Sequence, residues 1–202
     1  AGGLFSSAGG LQTQNIAKWD GQRWRSLDQA LRFSNSPPLM SAIATQGTNV
    51  YVAGELVAAG GVPVNGIALW NGSEWSSLGL GRSNGVAGQA LALTIEPNGD
   101  LIVGGGFYSA GGVAASRIAK WDGREWTPLG RGIGGASSSS VRSIAVNDRG
   151  DIFAGGSFSM AGDVPADNIA RWDCRQLYPL GLGVNRLVLA MAALGNDLFV
   201  GG

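Results

Sequence analysis

One motif recurs at a fixed interval and constrains the fold more than any other feature. It reads Ile16-Ala-Lys-Trp-Asp-Gly21, Ile67-Ala-Leu-Trp-Asn-Gly72, Ile118-Ala-Lys-Trp-Asp-Gly123 and Ile169-Ala-Arg-Trp-Asp-Cys174, with 51 residues between successive copies. Five residues beyond each motif Trp stands a second large residue: Trp24, Trp75, Trp126 and then Leu177. A Gly-rich segment precedes each copy, as in Gly104-Gly-Gly-Phe107 followed by Ala110-Gly-Gly112, with counterparts at Gly155, Ala53 and Gly2. Self-similarity at a period of 20–50 residues is the mark of a repeat array, in which each unit buries its faces against its neighbours.

The units read as short strands and tight turns. Leu91, Leu93 and Ile95 alternate with small or polar residues, and Ile144 and Val146 repeat the pattern one unit later. A period of two puts one face of a strand inside. Pro97-Asn-Gly-Asp100 and Asp148-Arg-Gly-Asp151 read as hairpin turns, leading into Leu101-Ile-Val103 and Ile152-Phe-Ala154. The Ile-Ala-x-Trp segment is a third strand and the second-Trp segment, as in Trp126-Thr-Pro-Leu129, a fourth. No stretch has helical periodicity. Four strands per unit of about 50 residues predict an all-β chain with the architecture of a β-propeller.

The motifs resemble kelch-type repeats, as in the central domain of galactose-oxidase-like propellers. They are closest in pattern to arrays in bacterial surface proteins and in the fungal cortical polarity marker family. The resemblance covers the whole chain and implies a non-catalytic propeller, extracellular or in the cell envelope. The copper chemistry of galactose oxidase uses Tyr, Cys and His, and this sequence has no His.

The kelch-like phase divides the chain into the outer strands of a composite blade with a divergent loop (1–38), three full blades (39–86, 87–136 and 137–184), and the inner strands of the composite blade (185–202). The chain opens on Ala1-Gly2-Gly3 and ends at the same phase, Asp197-Leu-Phe-Val-Gly-Gly202. Joining the two ends predicts a four-bladed ring. Pairing with a second copy predicts a larger ring, and an opening without Met suits a part cut from a longer propeller.

Composition limits the chemistry. With no His there is no imidazole base or Ser-His-Asp triad, and one Cys allows neither an internal disulfide nor a thiolate zinc cluster. Fourteen cations balance fourteen acids, which argues against a nucleic-acid surface. No apolar run approaches the ~20 residues of a membrane span. The expectation is a chain with no cofactor, no metal and no membrane insertion.

Each candidate site has a framework reading beside its functional one. Arg149-Gly150-Asp151 is an integrin-type tripeptide, but it falls where other units carry turn residues. Trp19, Trp70, Trp121 and Trp172 recur in strict phase, as blade packing demands, and Asp20, Asn71, Asp122 and Asp173 then open the following turn. The outer series Trp24, Trp75 and Trp126 has more scope for partial exposure and is a candidate platform for sugars, with packing again the favoured reading. Asp148 with Asp151 and Asp163 with Asp167 are close acid pairs, both in turns. Cys174 replaces the turn Gly in one unit. The loop Asp28–Pro38 diverges most, and its Leu31, Arg32 and Phe33 are candidate contact residues. Ser137–Ser140 reads as a flexible polar loop.

The resulting expectation is a non-enzymatic binding or scaffold propeller that contacts another protein or a second copy of itself. Two alternatives are a carbohydrate-binding propeller with repeated sites and a part of a larger secreted enzyme's propeller.

Overall fold

A computed structural model describes residues 1–27, 31–34 and 39–202, with Arg82 described in its backbone alone. The described residues form antiparallel sheets, with one 3₁₀ turn over Gly81–Ser83 and no α-helix.

At the N-terminus β1 (Ser7–Ala8) pairs with β2 (Leu11–Gln12), and β3 (Ala17–Trp19) with β4 (Trp24–Ser26). The chain continues through β5 (Leu31–Phe33), β6 (Met40–Gln46), β7 (Asn49–Gly54), β8 (Leu56–Ala59), β9 (Val62–Pro63), β10 (Ile67–Trp70) and β11 (Trp75–Ser76). Next come β12 (Val86–Ile95), β13 (Leu101–Ala110), β14 (Val113–Ala114), β15 (Ile118–Trp121) and β16 (Trp126–Pro128). The following repeat supplies β17 (Ile133–Gly134), β18 (Ser140–Val146), β19 (Ile152–Ser157), β20 (Met160–Ala161), β21 (Val164–Pro165), β22 (Ile169–Trp172) and β23 (Leu177–Pro179). A last hairpin joins β24 (Ala190–Leu194) to β25 (Asp197–Gly201).

The order β6-β7-β10-β11 recurs as β12-β13-β15-β16 and as β18-β19-β22-β23, giving a first, a central and a third sheet. Their registers recur as well. Val52 faces Ala68, Val103 faces Ala119 and Ala154 faces Ala170 between the second and third strands of each. The sequence period is therefore also a period of backbone hydrogen bonding.

Alternation along each second strand sends side chains to two neighbours. Leu101 and Val103 join a core with Tyr51 of the first sheet, while Ile102 joins Ile144 and Ile152 of the third. A further core lies between the N-terminal hairpin and the first sheet, where Ile16 and Leu27 meet Val52, Ala68 and Trp75. Burying an aliphatic side chain such as Ile102 contributes about 2 kcal/mol.

The glycine excess has a packing cause. A Cβ on Gly104 would run into Val141 and Ile144, the inner strand of the next sheet. The same column holds Gly155 against Val188 and Met191, and Gly2 against Met40 and Ile43. Bare backbone there, or the single methyl of Ala53 in the first sheet, lets neighbouring sheets lie close.

No sheet closes the array. The expected composite sheet from both termini is not formed: β3–β4 and β24–β25 remain separate two-stranded sheets. Three intact sheets stand between them, packed in sequence order, the first on the central and the central on the third.

Candidate functional site

The two Trp of each unit meet across the strand pair that ends in the Asp turn. Trp121 lies opposite Trp126 with ring centroids 5.4 Å apart, as do Trp70 with Trp75, and Trp19 with Trp24 at 5.5 Å. The outer series is not the more exposed one. Trp75 and Trp126 are buried, and Trp126 Nε1 donates to Leu78 O at 2.8 Å, tying the central sheet to the first. A ligand cannot stack on these two rings without unpacking the sheets. Only Trp24 of that series is partly open, and it stands at the end of the array. In the inner series Trp121 is buried, Trp70 and Trp172 are half-buried, and Trp19 is exposed.

The acid after each inner Trp organises its own turn. Asp122 Oδ1 accepts from the N–H of Arg124 at 2.8 Å and of Glu125 at 2.7 Å. Asp20, Asn71 and Asp173 accept the equivalent pairs of backbone donors. The donated N–H groups, led by Arg23 for Asp20, Glu125 for Asp122 and Gln176 for Asp173, hold these carboxyls below the ordinary carboxylate range.

The divergent loop is partly a strand. Residues 28–30 and 35–38 lie outside the described residues, but Leu31 pairs with Ala59 as Val86 does with Ala110 and Ile133 with Ala161. Leu31 is buried in that recurring position, so it is a core residue and not a contact residue. Phe33 is half-buried against the same core, and Arg32 alone of the three is exposed. Leu31→Asp would therefore damage the fold.

Ser137–Ser140 is likewise tied down. Arg117, buried and at a positive φ of 64°, sends its guanidinium to Ser139 O at 2.7 Å and Ile133 O at 3.0 Å. Tyr108 Oη donates to Ser137 O at 3.2 Å, and the Arg117 guanidinium lies 4.9 Å from the Tyr108 ring. Other units place Asn15, Gly66 and Asn168 at this positive-φ position, residues that tolerate it more readily.

Charged groups at the other end of the central and third sheets form a second repeated device. Asp100, closing the hairpin turn, lies 2.8 Å from Lys120 Nζ on the third strand. Asp151 lies 3.2 Å from Arg171 in the same places one unit on. Asp151 also accepts from Asn147 Nδ2, so the acid of the Arg149-Gly150-Asp151 tripeptide belongs to its turn. Glu96 lies 3.9 Å from Lys120, and its burial pushes its carboxyl pKa up. Sequence reading missed this neighbour, which precedes the turn Pro97. Of the acid pairs it did name, Asp163 binds Arg131 at 3.0 Å on the surface. Cys174 is a free, exposed thiol. Among the described residues no three His, Cys, Asp or Glu converge as a metal site, and no helix is long and apolar enough to cross a membrane.

Two open clefts lie at sheet junctions. A polar one of about 580 Å³ lies between the first and central sheets, with Ser34, Glu55, Asn65, Ser83 and Gln89 among its walls. Gln89 Nε2 donates to Glu55 Oε1 at 2.6 Å there, bridging the two sheets. The second cleft, about 650 Å³, runs along β3 and is walled by Ile16, Lys18, Ile43, Val50 and Trp70. At the far end of the array the C-terminal hairpin exposes Leu189, Leu194, Phe199 and Val200.

Compared with protein-family models and with curated proteins, the chain matches none.

Proposed function

We propose that the chain is a β-propeller of kelch-like repeats, acting outside the cytoplasm or in the cell envelope as a non-catalytic scaffold that joins protein surfaces. The architecture is supported by the four-stranded order recurring with the 51-residue period, and by the small-residue column of Gly2, Ala53, Gly104 and Gly155. The location rests on the resemblance to surface-protein arrays, which is an argument from fold and not from a site.

The observation that carries the binding role is the C-terminal hairpin. Phe199 is 58% exposed and Leu194 73%, and Val200 beside Phe199 is exposed as well. Neighbouring exposed apolar side chains mark an interaction surface. Sedimentation velocity over a wide concentration range tests this. The chain is expected to associate, and Leu194→Asp with Phe199→Asp to leave it monomeric with an unchanged melting curve. A wild-type chain that stays monomeric throughout overturns the scaffold reading.

The polar cleft favours carbohydrate as a second reading. Its hydroxyl, amide and carboxylate groups suit sugar hydroxyls, although it lies at one junction and is not repeated on the buried Trp75 and Trp126. A glycan array in which wild type and Glu55→Ala give the same empty pattern would remove it.

A further inference from the structure

One junction of the array shows how the cleft at another is to be filled. We propose that the polar cleft between the first and central sheets takes the guanidinium of an arginine side chain presented by a partner protein. This adds a second contact surface to the scaffold reading, and it rests on that reading for the partner being a protein.

The template lies at the junction of the central and third sheets. A shift of 51 residues carries Val57 to Tyr108, Gly66 to Arg117, Gly85 to Ala136 and Gly88 to Ser139. The four starting residues all wall the cleft of about 580 Å³. The four they map to all belong to the Arg117 side-chain cluster. The Arg117 guanidinium donates to Ser139 O at 2.7 Å, and to Ala136 O and Tyr108 Oη at 3.4 Å each, besides Ile133 O. Where the repeat carries glycine in place of this arginine, the junction is an open cleft.

The backbone that receives the side chain is already in place there. Gly66 has φ of 70° and Arg117 64°, so the chain takes the same course at both positions. A Cβ added to Gly66 would stand 3.3 Å from Gly88 O, the carbonyl equivalent to the Ser139 acceptor. Gly88 O therefore borders the space that an arginine fills one junction on. Burial differs as between a filled and an unfilled site: Ser139 and Ser140 are buried, whereas Gly88 and Gln89 are exposed.

The chemistry of the wall selects a cation with several donors. Among its described residues Glu55 alone is charged, and Gln89 Nε2 donates to Glu55 Oε1 at 2.6 Å, holding the carboxylate at the junction. Asn84, another wall residue, is 7% exposed, and its Oδ1 has no hydrogen-bond partner. Its Nδ2 donates to Pro63 O and Gly81 O, which fixes the other end of the amide as the acceptor. An ammonium is a compact point charge, whereas a planar guanidinium spreads five donors over separate acceptors. The cleft is larger than one side chain, leaving room for the segment that carries it, and arginine is prominent among the residues that anchor protein interfaces. Both junctions lie between complete four-stranded sheets, so neither depends on the chain ends.

Amide shifts of the full chain titrated with N-acetyl-arginine methylamide test the proposal. Gly66, Gly88 and Gln89 are expected to shift together and to saturate with a Kd of about 1 mM. Glu55→Gln is expected to weaken that binding about tenfold. Gly66→Arg supplies the side chain from within, as Arg117 does, and is expected to abolish the shifts while the rest of the spectrum keeps its pattern. Arg117→Gly opens the matching space and is expected to add a second set of shifts at Ala136 and Ser139; a folded variant without them counts against the template. If about 50 mM probe moves none of the wild-type amides, or if the lysine analogue moves them equally, the proposal is overturned. It is overturned too if Gly66→Arg blocks a glycan that the arginine probe cannot displace, because the cleft then belongs to sugar. Should either glycine–arginine exchange fail to fold, Glu55→Gln and the lysine analogue decide alone. Sedimentation keeps the two readings apart. Association without any probe shift overturns this site and leaves the scaffold reading standing, and Leu194→Asp with Phe199→Asp is expected to leave the shifts unchanged.

Discussion

The central sheet and the N-terminal hairpin carry the same tryptophan pair in opposite circumstances. Trp121 and Trp126 pack at 5.4 Å and are each 7% exposed. Trp19 and Trp24 pack at 5.5 Å, yet Trp19 is 52% exposed. The local hairpin and its Asp turn are thus enough to set the pair. Burial comes from elsewhere: Leu101 beside Trp121, and the first sheet, whose Leu78 carbonyl accepts from Trp126. Hairpin chemistry builds each unit, and only the array makes it a core.

If that division is right, identical truncations have unequal costs. Trp126→Ala removes a buried ring and a cross-sheet hydrogen bond, and is expected to destabilise by about 4 kcal/mol. Trp24→Ala, at a half-buried position, is expected to cost about 1–2 kcal/mol. Urea midpoints of the two variants measure the gap. Equal losses would mean that the terminal hairpin is as firmly packed as the interior.

The glycine column allows a sharper version. Gly104→Val drives a side chain into Val141 and Ile144, and such overpacking is expected to cost about 2–3 kcal/mol. Gly201 holds the same phase with nothing within 4 Å of an added Cβ, so Gly201→Val should leave the midpoint unchanged. Urea midpoints of the two variants measure the difference. An equal loss at Gly201 would show that the terminal hairpin packs as tightly as the central sheet.

These contrasts mark what was legible in the residues. Period, strands and turns were readable because they depend on neighbours in sequence: Asp122 caps the turn it opens, and Leu101 alternates with Ile102. Burial was not. Leu31 looked exposed because its loop diverges, but its place is fixed by Ala59 on a strand more than twenty residues away. Trp75 and Trp126 lie on outer strands, where packing is the favoured reading but more exposure than in the inner series is expected; neighbouring sheets cover both. Arg117 gave no local signal, since its hydrogen bonds reach the connection into the next sheet.

The smallest effect concerns the one unit whose turn departs from the pattern. Gly21, Gly72 and Gly123 adopt φ of 97°, 107° and 95°, and Cys174 takes the same place at 70°. A side chain in the left-handed region costs about 1–2 kcal/mol, against about 0.5–1 kcal/mol for the greater freedom of glycine in the unfolded chain. Cys174→Gly is therefore expected to stabilise the chain by about 0.5–1 kcal/mol, read as a higher urea midpoint at unchanged slope. The thiol is free and exposed, so the gain reports chiefly backbone strain. The turn lies within one unit, so the gain should be the same in monomer and dimer. A gain that appears only on dimerisation would place this turn in the contact and break the separation between local and array effects.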